Sequence, residues 1–115
     1  MYRFYAYKGC DGCRKARKWL NEHEITFEEI PIRETPPSVE ELQQACETHG
    51  IKPIFNTSGM DYRQLGMKGK LPGMPESEAL DLLSQNGNLI KRPFLISSDV
   101  SLVGFKEDVW KETLR

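Results

Sequence analysis

Residues 2 to 32 constrain the fold more tightly than any other part of the chain. Tyr2 to Tyr7 is short and aromatic-rich, which is the composition of a β-strand. Lys8-Gly9-Cys10 is a loop. From Gly12 to His23 the residues Cys13, Ala16 and Leu20 recur at helical spacing, with Arg14, Lys15 and Lys18 turned outward. Asp11 or Cys10 starts that helix. Ile25 to Ile32 is extended again, with imperfect alternation. Strand, helix, strand in so short a stretch is a βαβ unit, in which the crossover helix lets two parallel strands pair.

The rest of the chain has to complete that sheet. Pro36-Pro37 breaks the backbone, and Ser38-Val39-Glu40-Glu41 has the form of a capping box at a helix start. Leu42, Ala45, Cys46 and His49 lie on one stripe of this helix, which Gly50 ends. Residues 51 to 74 carry Pro53, Gly59, Gly66, Gly69, Pro72 and Gly73, leaving room only for short helical turns. Pro75 opens another helix, with Ala79, Leu80, Leu82 and Leu83 as its apolar content and Asn86-Gly87 as its stop. Phe94-Leu95-Ile96 and Ser101 to Phe105 form a hairpin around Ser97-Ser98-Asp99. Lys106 to Leu114 closes the chain as a helix with Val109, Trp110 and Leu114 inward. The expected fold is α/β: a four-strand mixed sheet, β-α-β followed by β-β-α, with a helical insertion at about residues 36–88 and helices on its faces. One domain over residues 1–115 is the expectation for this length.

Composition narrows the function classes. Lys and Arg number 16 against 17 Asp and Glu, a net charge of −1, which does not support a broad electrostatic grip on nucleic acid or on an anionic membrane. No apolar run approaches the ~20 residues of a membrane span. The N-terminus begins like a strand rather than a secretory signal. These features suit a cytoplasmic protein, and in that compartment three cysteines are not a structural disulfide framework. They are core residues, metal ligands or redox groups.

Cys10-Asp11-Gly12-Cys13 carries the most chemistry. A thiol pair at this spacing between a strand and a helix is a redox arrangement. The nucleophile is the thiolate, and the unpaired amides and partial positive charge at a helix N-terminus favour an anion at Cys10. A second thiol one turn later can attack a mixed disulfide formed on the first. Lys8, Arg14 and Lys15 add positive potential, Asp11 opposes it, and Gly9 and Gly12 let a substrate approach the backbone closely. Two other readings compete. The pair can be buried and inert, or Cys46-Glu47-Thr48-His49 can complete a four-ligand zinc set. Redox chemistry is favoured over the inert pair by the strand–CxxC–helix context, and over zinc because Cys46 and His49 fall on the apolar stripe of a helix, where a small buried Cys usually packs. No bound cofactor or metal is expected. Lys91-Arg92-Pro93 precedes the third strand. Arg92 is either a solvated turn residue or a guanidinium that supports the thiolate and holds a substrate. Phe55-Asn56-Thr57-Ser58-Gly59 is either a plain loop or one that brings Asn56 toward Cys10.

Tyr5-x-Tyr7-Lys8-x-Cys10-x-x-Cys13-Arg14-Lys15-Ala16, with Arg92-Pro93 and Gly104-Phe105-Lys106-Glu107-Asp108, resembles the ArsC/Spx family. The resemblance covers essentially the whole chain. It implies a thioredoxin/glutaredoxin-like fold, Cys10 as nucleophile, Arg92 lining the active site and a cis bond before Pro93. It also implies two departures. Asn56 and Phe105 stand where arsenate reductases of the family carry two further oxyanion-binding arginines. Each such charged contact is worth ~1.5–3 kcal/mol, so efficient arsenate reduction is not expected. Cys13 fits the Spx-like branch, where the pair closes an internal disulfide.

The resulting expectation is a thiol–disulfide oxidoreductase or arsenate-reductase-like enzyme. Its catalytic residues are Cys10, Cys13 and Arg92, and Lys8, Gly12, Asn56 and Pro93 contact the substrate. The substrate is a small-molecule or protein disulfide, and glutathione, glutaredoxin or thioredoxin is the external reductant. The alternative is an Spx-like redox-sensing transcriptional regulator that binds the C-terminal domain of the RNA polymerase alpha subunit.

Overall fold

The computed structural model describes residues 1–114. Four strands, β1 (Tyr2–Ala6), β2 (Phe27–Pro31), β3 (Phe94–Ile96) and β4 (Ser101–Val103), form one mixed sheet in the order β2-β1-β3-β4. β1 pairs parallel with β2, placing Tyr5 opposite Ile30, and antiparallel with β3, placing Tyr5 opposite Phe94. β3 and β4 form the expected hairpin, with Phe94 opposite Val103. β3 is buried along its whole length, as a central strand covered on both faces must be. The edge strand β2 carries Glu28, Glu29 and Pro31 exposed, a composition that discourages pairing with another sheet.

Six helices are distributed over the two faces: α1 (Asp11–Glu22), α2 (Val39–His49), α3 (Met60–Gln64), α4 (Met67–Lys70), α5 (Glu76–Gln85) and α6 (Glu107–Thr113). Strand alternation decides which core each residue joins. Phe4, Ala6 and Leu95 point toward α1 and α6, where they pack with Cys13, Ala16, Leu20, Trp110 and Leu114. Tyr5, Phe94 and Ile96 point the other way and pack with Leu42, Ile54, Met67, Leu80 and Leu83 of the segment between β2 and β3. That segment is helical, with short 3-10 turns at Lys52–Ile54, Leu71–Gly73 and Gly87–Leu89 where proline and glycine interrupt it.

Local chemistry fixes these elements. Ser38 caps α2: its hydroxyl accepts from the Glu41 N–H at 3.2 Å, and the Glu41 carboxylate accepts from the Ser38 N–H at 3.0 Å. The same carboxylate accepts from the Tyr5 hydroxyl at 2.8 Å and pairs with Arg3 at 3.1 Å, so one side chain caps the helix and ties it to β1. At the other end of α2, the His49 ring nitrogen lies 2.8 Å from the Ser101 carbonyl of β4. Arg17 of α1 grips Glu29 of β2 through two hydrogen bonds of 2.7 Å. The Trp110 indole donates to the Gly104 carbonyl at 3.1 Å.

The last helix departs from expectation at one position. Trp110 and Leu114 face inward, but Val109 is exposed. Residues four apart share a helix face, whereas Val109 is rotated about 100° from Trp110. The final strand also ends sooner than its apolar run, at Val103, because Gly104 takes a positive φ of 73° and turns the chain.

Candidate active site

The two thiols lie where β1 hands over to α1. Beyond Ala6, the Cys10 N–H donates to the Tyr7 carbonyl at 3.2 Å, closing a tight turn that makes Cys10 the N-cap of α1. An N-cap side chain normally accepts from an amide in the first turn. Here a sulfur does so: the Cys13 N–H donates to Cys10 Sγ at 3.2 Å. Cys10 is partly exposed, whereas Cys13 is fully buried. Burial pushes the Cys13 thiol up to about 12, and its hydrogen bond to Cys10 and the charge there push the same way. The Tyr7 backbone and the Arg92 charge act in the opposite direction. The pair is therefore unequal: one sulfur at the mouth, one proton-retaining thiol beneath it.

Asp11 does not oppose an anion at Cys10 as a free charge. Its carboxylate takes a 2.6 Å hydrogen bond from Arg14, which holds it below the usual carboxylate range. Gly12 faces the loop before β3. A Cβ there would lie 3.7 Å from Pro93 Cδ, 3.9 Å from the Arg92 carbonyl and 4.0 Å from Cys10 Sγ. Gly12, Arg92, Pro93 and the two cysteines thus converge, and the Arg92–Pro93 peptide is cis. The loop that carries them is held from the insertion side: the Lys91 N–H donates to the Ile54 carbonyl and the Asn56 N–H to the Leu89 carbonyl, each at 2.7 Å.

The remaining expected residues are placed differently. Lys8 is exposed and lines a groove of about 670 Å³ with Tyr7, Glu29, Pro31 and Glu34. The Asn56 side chain is engaged within its own loop. Its Oδ1 accepts from the Ser58 hydroxyl at 3.5 Å, and its amide packs over Gly59, where a Cβ would come within 2.7 Å of Nδ2. Phe105 stacks edge-on against Trp110 at 5.0 Å and belongs to the aromatic cluster with Trp19. The zinc reading fails on topology. Cys13 packs on one face of the sheet and Cys46 on the other, so the two pairs cannot share an ion.

Two residues at this end of the sheet went unassigned in the sequence. The Tyr7 ring lies over the Cys10 loop, close enough that a Cβ on Gly9 would meet it at 2.7 Å. Over the same ring sit the guanidiniums of Arg33, at 3.7 Å from its centroid, and Arg92, at 5.3 Å. A signal for Arg33 existed. It directly follows the apolar end of a strand parallel to β1, and α/β sheets place their sites at the carboxyl ends of parallel strands.

Comparison with known proteins follows the same outline. The model of the ArsC family matches residues 5–113. The chain is 51% identical over 111 residues to the YusI protein of Bacillus subtilis, covering 95% of this chain and 94% of that one. It is 36% identical over 110 residues to the global transcriptional regulator Spx of Enterococcus faecalis, covering 94% of this chain and 82% of Spx. Its fold matches the crystal structure of an ArsC family related protein from Bacteroides fragilis with a TM-score of 0.90 at 41% identity, over 96% and 95% of the two chains. The four-strand mixed sheet with helices on both faces is the thioredoxin-like fold shared by these proteins.

Proposed function

The chain belongs to the ArsC family, and from that premise we propose that it is a thiol–disulfide oxidoreductase in which Cys10 attacks and Cys13 resolves. The observation that carries this reading is the asymmetry of the sulfurs: Cys10 Sγ is capped by the Cys13 amide at 3.2 Å at the protein surface, and Cys13 is wholly buried behind it.

The Cys10 thiolate attacks one sulfur of a disulfide substrate. A Cys10–substrate disulfide forms, the substrate S–S bond breaks, and the first half leaves as a thiolate that takes a proton from solvent. Cys13 then loses its proton and attacks Cys10 Sγ. The mixed disulfide breaks, the second half leaves as a thiol, and a Cys10–Cys13 disulfide remains. The substrate has gained two electrons and the pair has lost two. An external thiol reductant of the glutathione, glutaredoxin or thioredoxin class returns them. Arg92 stabilises the anions formed at this mouth, and Gly12 and Pro93 leave the approach to Cys10 open. Arsenate is disfavoured as substrate, because Asn56 is engaged in its own loop and Phe105 is packed in aromatic contacts.

The identity to Spx favours a second reading, in which the same disulfide is a sensor and the oxidised form binds the C-terminal domain of the RNA polymerase alpha subunit. One experiment separates the readings. Wild type, Cys10→Ser and Cys13→Ser are assayed in parallel with arsenate and with a glutathione mixed disulfide, and tested for capture of that polymerase domain under oxidising and reducing conditions. Turnover of the disulfide that is abolished in Cys10→Ser supports the oxidoreductase. Full activity in Cys10→Ser refutes it. Oxidation-dependent capture without turnover replaces it with the regulator. Activity retained in Cys13→Ser only with added glutathione restricts the mechanism to one cysteine.

A further inference from the structure

Arg33 has no place in the two-sulfur mechanism, yet the fold holds it over the Tyr7 ring that lies against the Cys10 loop. The Tyr7 ring carries both Arg33 and Arg92, although two guanidiniums over one ring repel each other. Among the described residues, neither arginine forms a salt bridge or a side-chain hydrogen bond. Two carboxylates line the adjoining groove: Glu29 is taken by Arg17 through both oxygens, and Glu34 forms no salt bridge with either arginine. The backbone under Arg33 is also held in place. The Thr35 N–H donates to the Pro31 carbonyl at 2.8 Å, closing the turn that carries Arg33. Gly87 presses against this turn so closely that a Cβ would fall 1.9 Å from the Ile32 carbonyl oxygen and 3.1 Å from Arg33 Cα. An exposed arginine needs no such support if it merely covers surface.

We propose that Arg33 is a specificity-determining residue that binds a carboxylate of the thiol or disulfide substrate meeting Cys10. A guanidinium fork suits a carboxylate, and stacking on Tyr7 fixes its plane before the ligand arrives. On the other side of Tyr7 a groove of about 670 Å³ runs along Lys8 and Pro31, with Glu29 and Glu34 on its walls; it has room for more than a small oxyanion, and its carboxylates leave the guanidinium over Tyr7 as the place for the substrate's negative charge. The favoured substrates are therefore acidic disulfides, among them those of carboxylate-bearing peptide thiols. This inference rests on the oxidoreductase reading for its biological meaning, but the carboxylate site can be probed without turnover.

The test compares alkylation of Cys10 by iodoacetate, which carries a carboxylate, and by iodoacetamide, which is neutral. In both cases Cys10 sulfur displaces iodide and forms one S–C bond, located by mass spectrometry of peptides from the reduced, labelled protein. In Arg33→Gln the ratio of the iodoacetate to the iodoacetamide rate should fall about three- to fivefold, the scale of an exposed ion pair. The iodoacetamide rate and the melting temperature should stay at wild-type values, and Arg33→Lys should recover part of the ratio. An unchanged ratio overturns the proposal. So does an equal loss with both reagents, which assigns Arg33 a packing role. A second arm measures exchange with glutathione disulfide, neutral hydroxyethyl disulfide and cationic cystamine. Arg33→Gln should slow only the first. Absence of exchange in wild type with all three, alongside a lowered alkylation ratio in Arg33→Gln, removes the oxidoreductase reading and leaves the carboxylate site standing.

Discussion

In the proposed mechanism, burial of Cys13 makes the second chemical step, not the first, the one that governs the pH dependence of disulfide closure. An ordinary cysteine ionises near about 8.5, whereas the Cys13 thiol is pushed up to about 12, with burial as the leading cause. That lowers the thiolate fraction at neutral pH by roughly 3.5 decades. The more basic thiolate is a better nucleophile. With a Brønsted slope of about 0.4–0.5, that recovers about 1.5 decades. The remaining deficit is about a hundredfold, and it is a ceiling. Once Cys10 is in a mixed disulfide its negative charge is gone, so the contributions from Cys10 lapse while burial persists. Proximity offsets the deficit, because the attack is intramolecular. The shape of the profile is unaffected by proximity. Closure should accelerate about tenfold per pH unit from about pH 6 to about pH 9 and show no plateau in that window.

The assay uses a symmetric aromatic disulfide that releases a coloured thiolate. The first equivalent appears when Cys10 attacks and the second when Cys13 displaces the remaining half. Stopped-flow absorbance resolves the two phases, and a Cys46→Ala background removes the third thiol. In Cys13→Ser the second phase should vanish and the first persist. A second phase that levels off below about pH 8.5 would mean Cys13 ionises as a solvated thiol, and would refute its placement beneath the surface.

Four further outcomes follow from the same geometry. Cys13 keeps its proton to higher pH when folded than when unfolded, so its stabilising contribution is complete below about pH 8.5 and is lost as pH rises toward 12; the melting-temperature gap between wild type and Cys13→Ala should narrow over that range. Gly87→Ala places a methyl against the Ile32 carbonyl, and overpacking of this kind costs about 1–3 kcal/mol, measurable by urea titration. Trp110→Ala removes a fully buried side chain and its hydrogen bond to Gly104, and should cost about 3–5 kcal/mol in the same titration. Gly12→Ala adds a methyl at ordinary contact distance from Pro93 and Cys10 Sγ, so melting should hardly change, whereas Gly12→Val fills the approach and should slow iodoacetamide labelling of Cys10.

Much of the architecture was legible because local chemistry and tertiary packing agree. The Ser38 capping box, the Gly50 stop and the stripe Cys13, Ala16, Leu20 are each satisfied in the structure by the partners their spacing implies. Val109 was misplaced because a seven-residue helix offers too few apolar positions to define a stripe, and only the sheet decides which face is inward. The thiol pair and its expected roles were legible from the helix N-terminus, but not how completely Cys13 is buried. Nothing in Cys10-Asp11-Gly12-Cys13 says how fully the second sulfur is sealed; that depends on Phe4, Ala6 and Leu95, which form the floor under α1. The position of Arg33 at a strand's carboxyl end was legible, but its pairing with Tyr7 was not, for a related reason. Their partnership spans a parallel register, and no periodicity within either strand encodes it.

That register also places the proposed nucleophile and the proposed recognition surface side by side on separate supports. β1 and β2 run parallel, so their carboxyl ends emerge side by side: one leads into the Cys10 turn, the other into the Arg33 turn. The cap on Cys10 is supplied from within its own helix, and the Arg33 turn is braced by Gly87 from the insertion. Separate supports allow substitution at Arg33 to alter the choice of substrate without loosening the thiolate. The opposite is expected of Arg92. It precedes the Pro93 that faces Gly12, and its charge already acts on Cys13. Arg92→Gln should therefore slow both phases of the disulfide assay and lower iodoacetamide labelling, where Arg33→Gln leaves that labelling intact. If the two variants prove indistinguishable with the neutral reagent, the division between a thiolate-supporting and a substrate-selecting arginine is wrong.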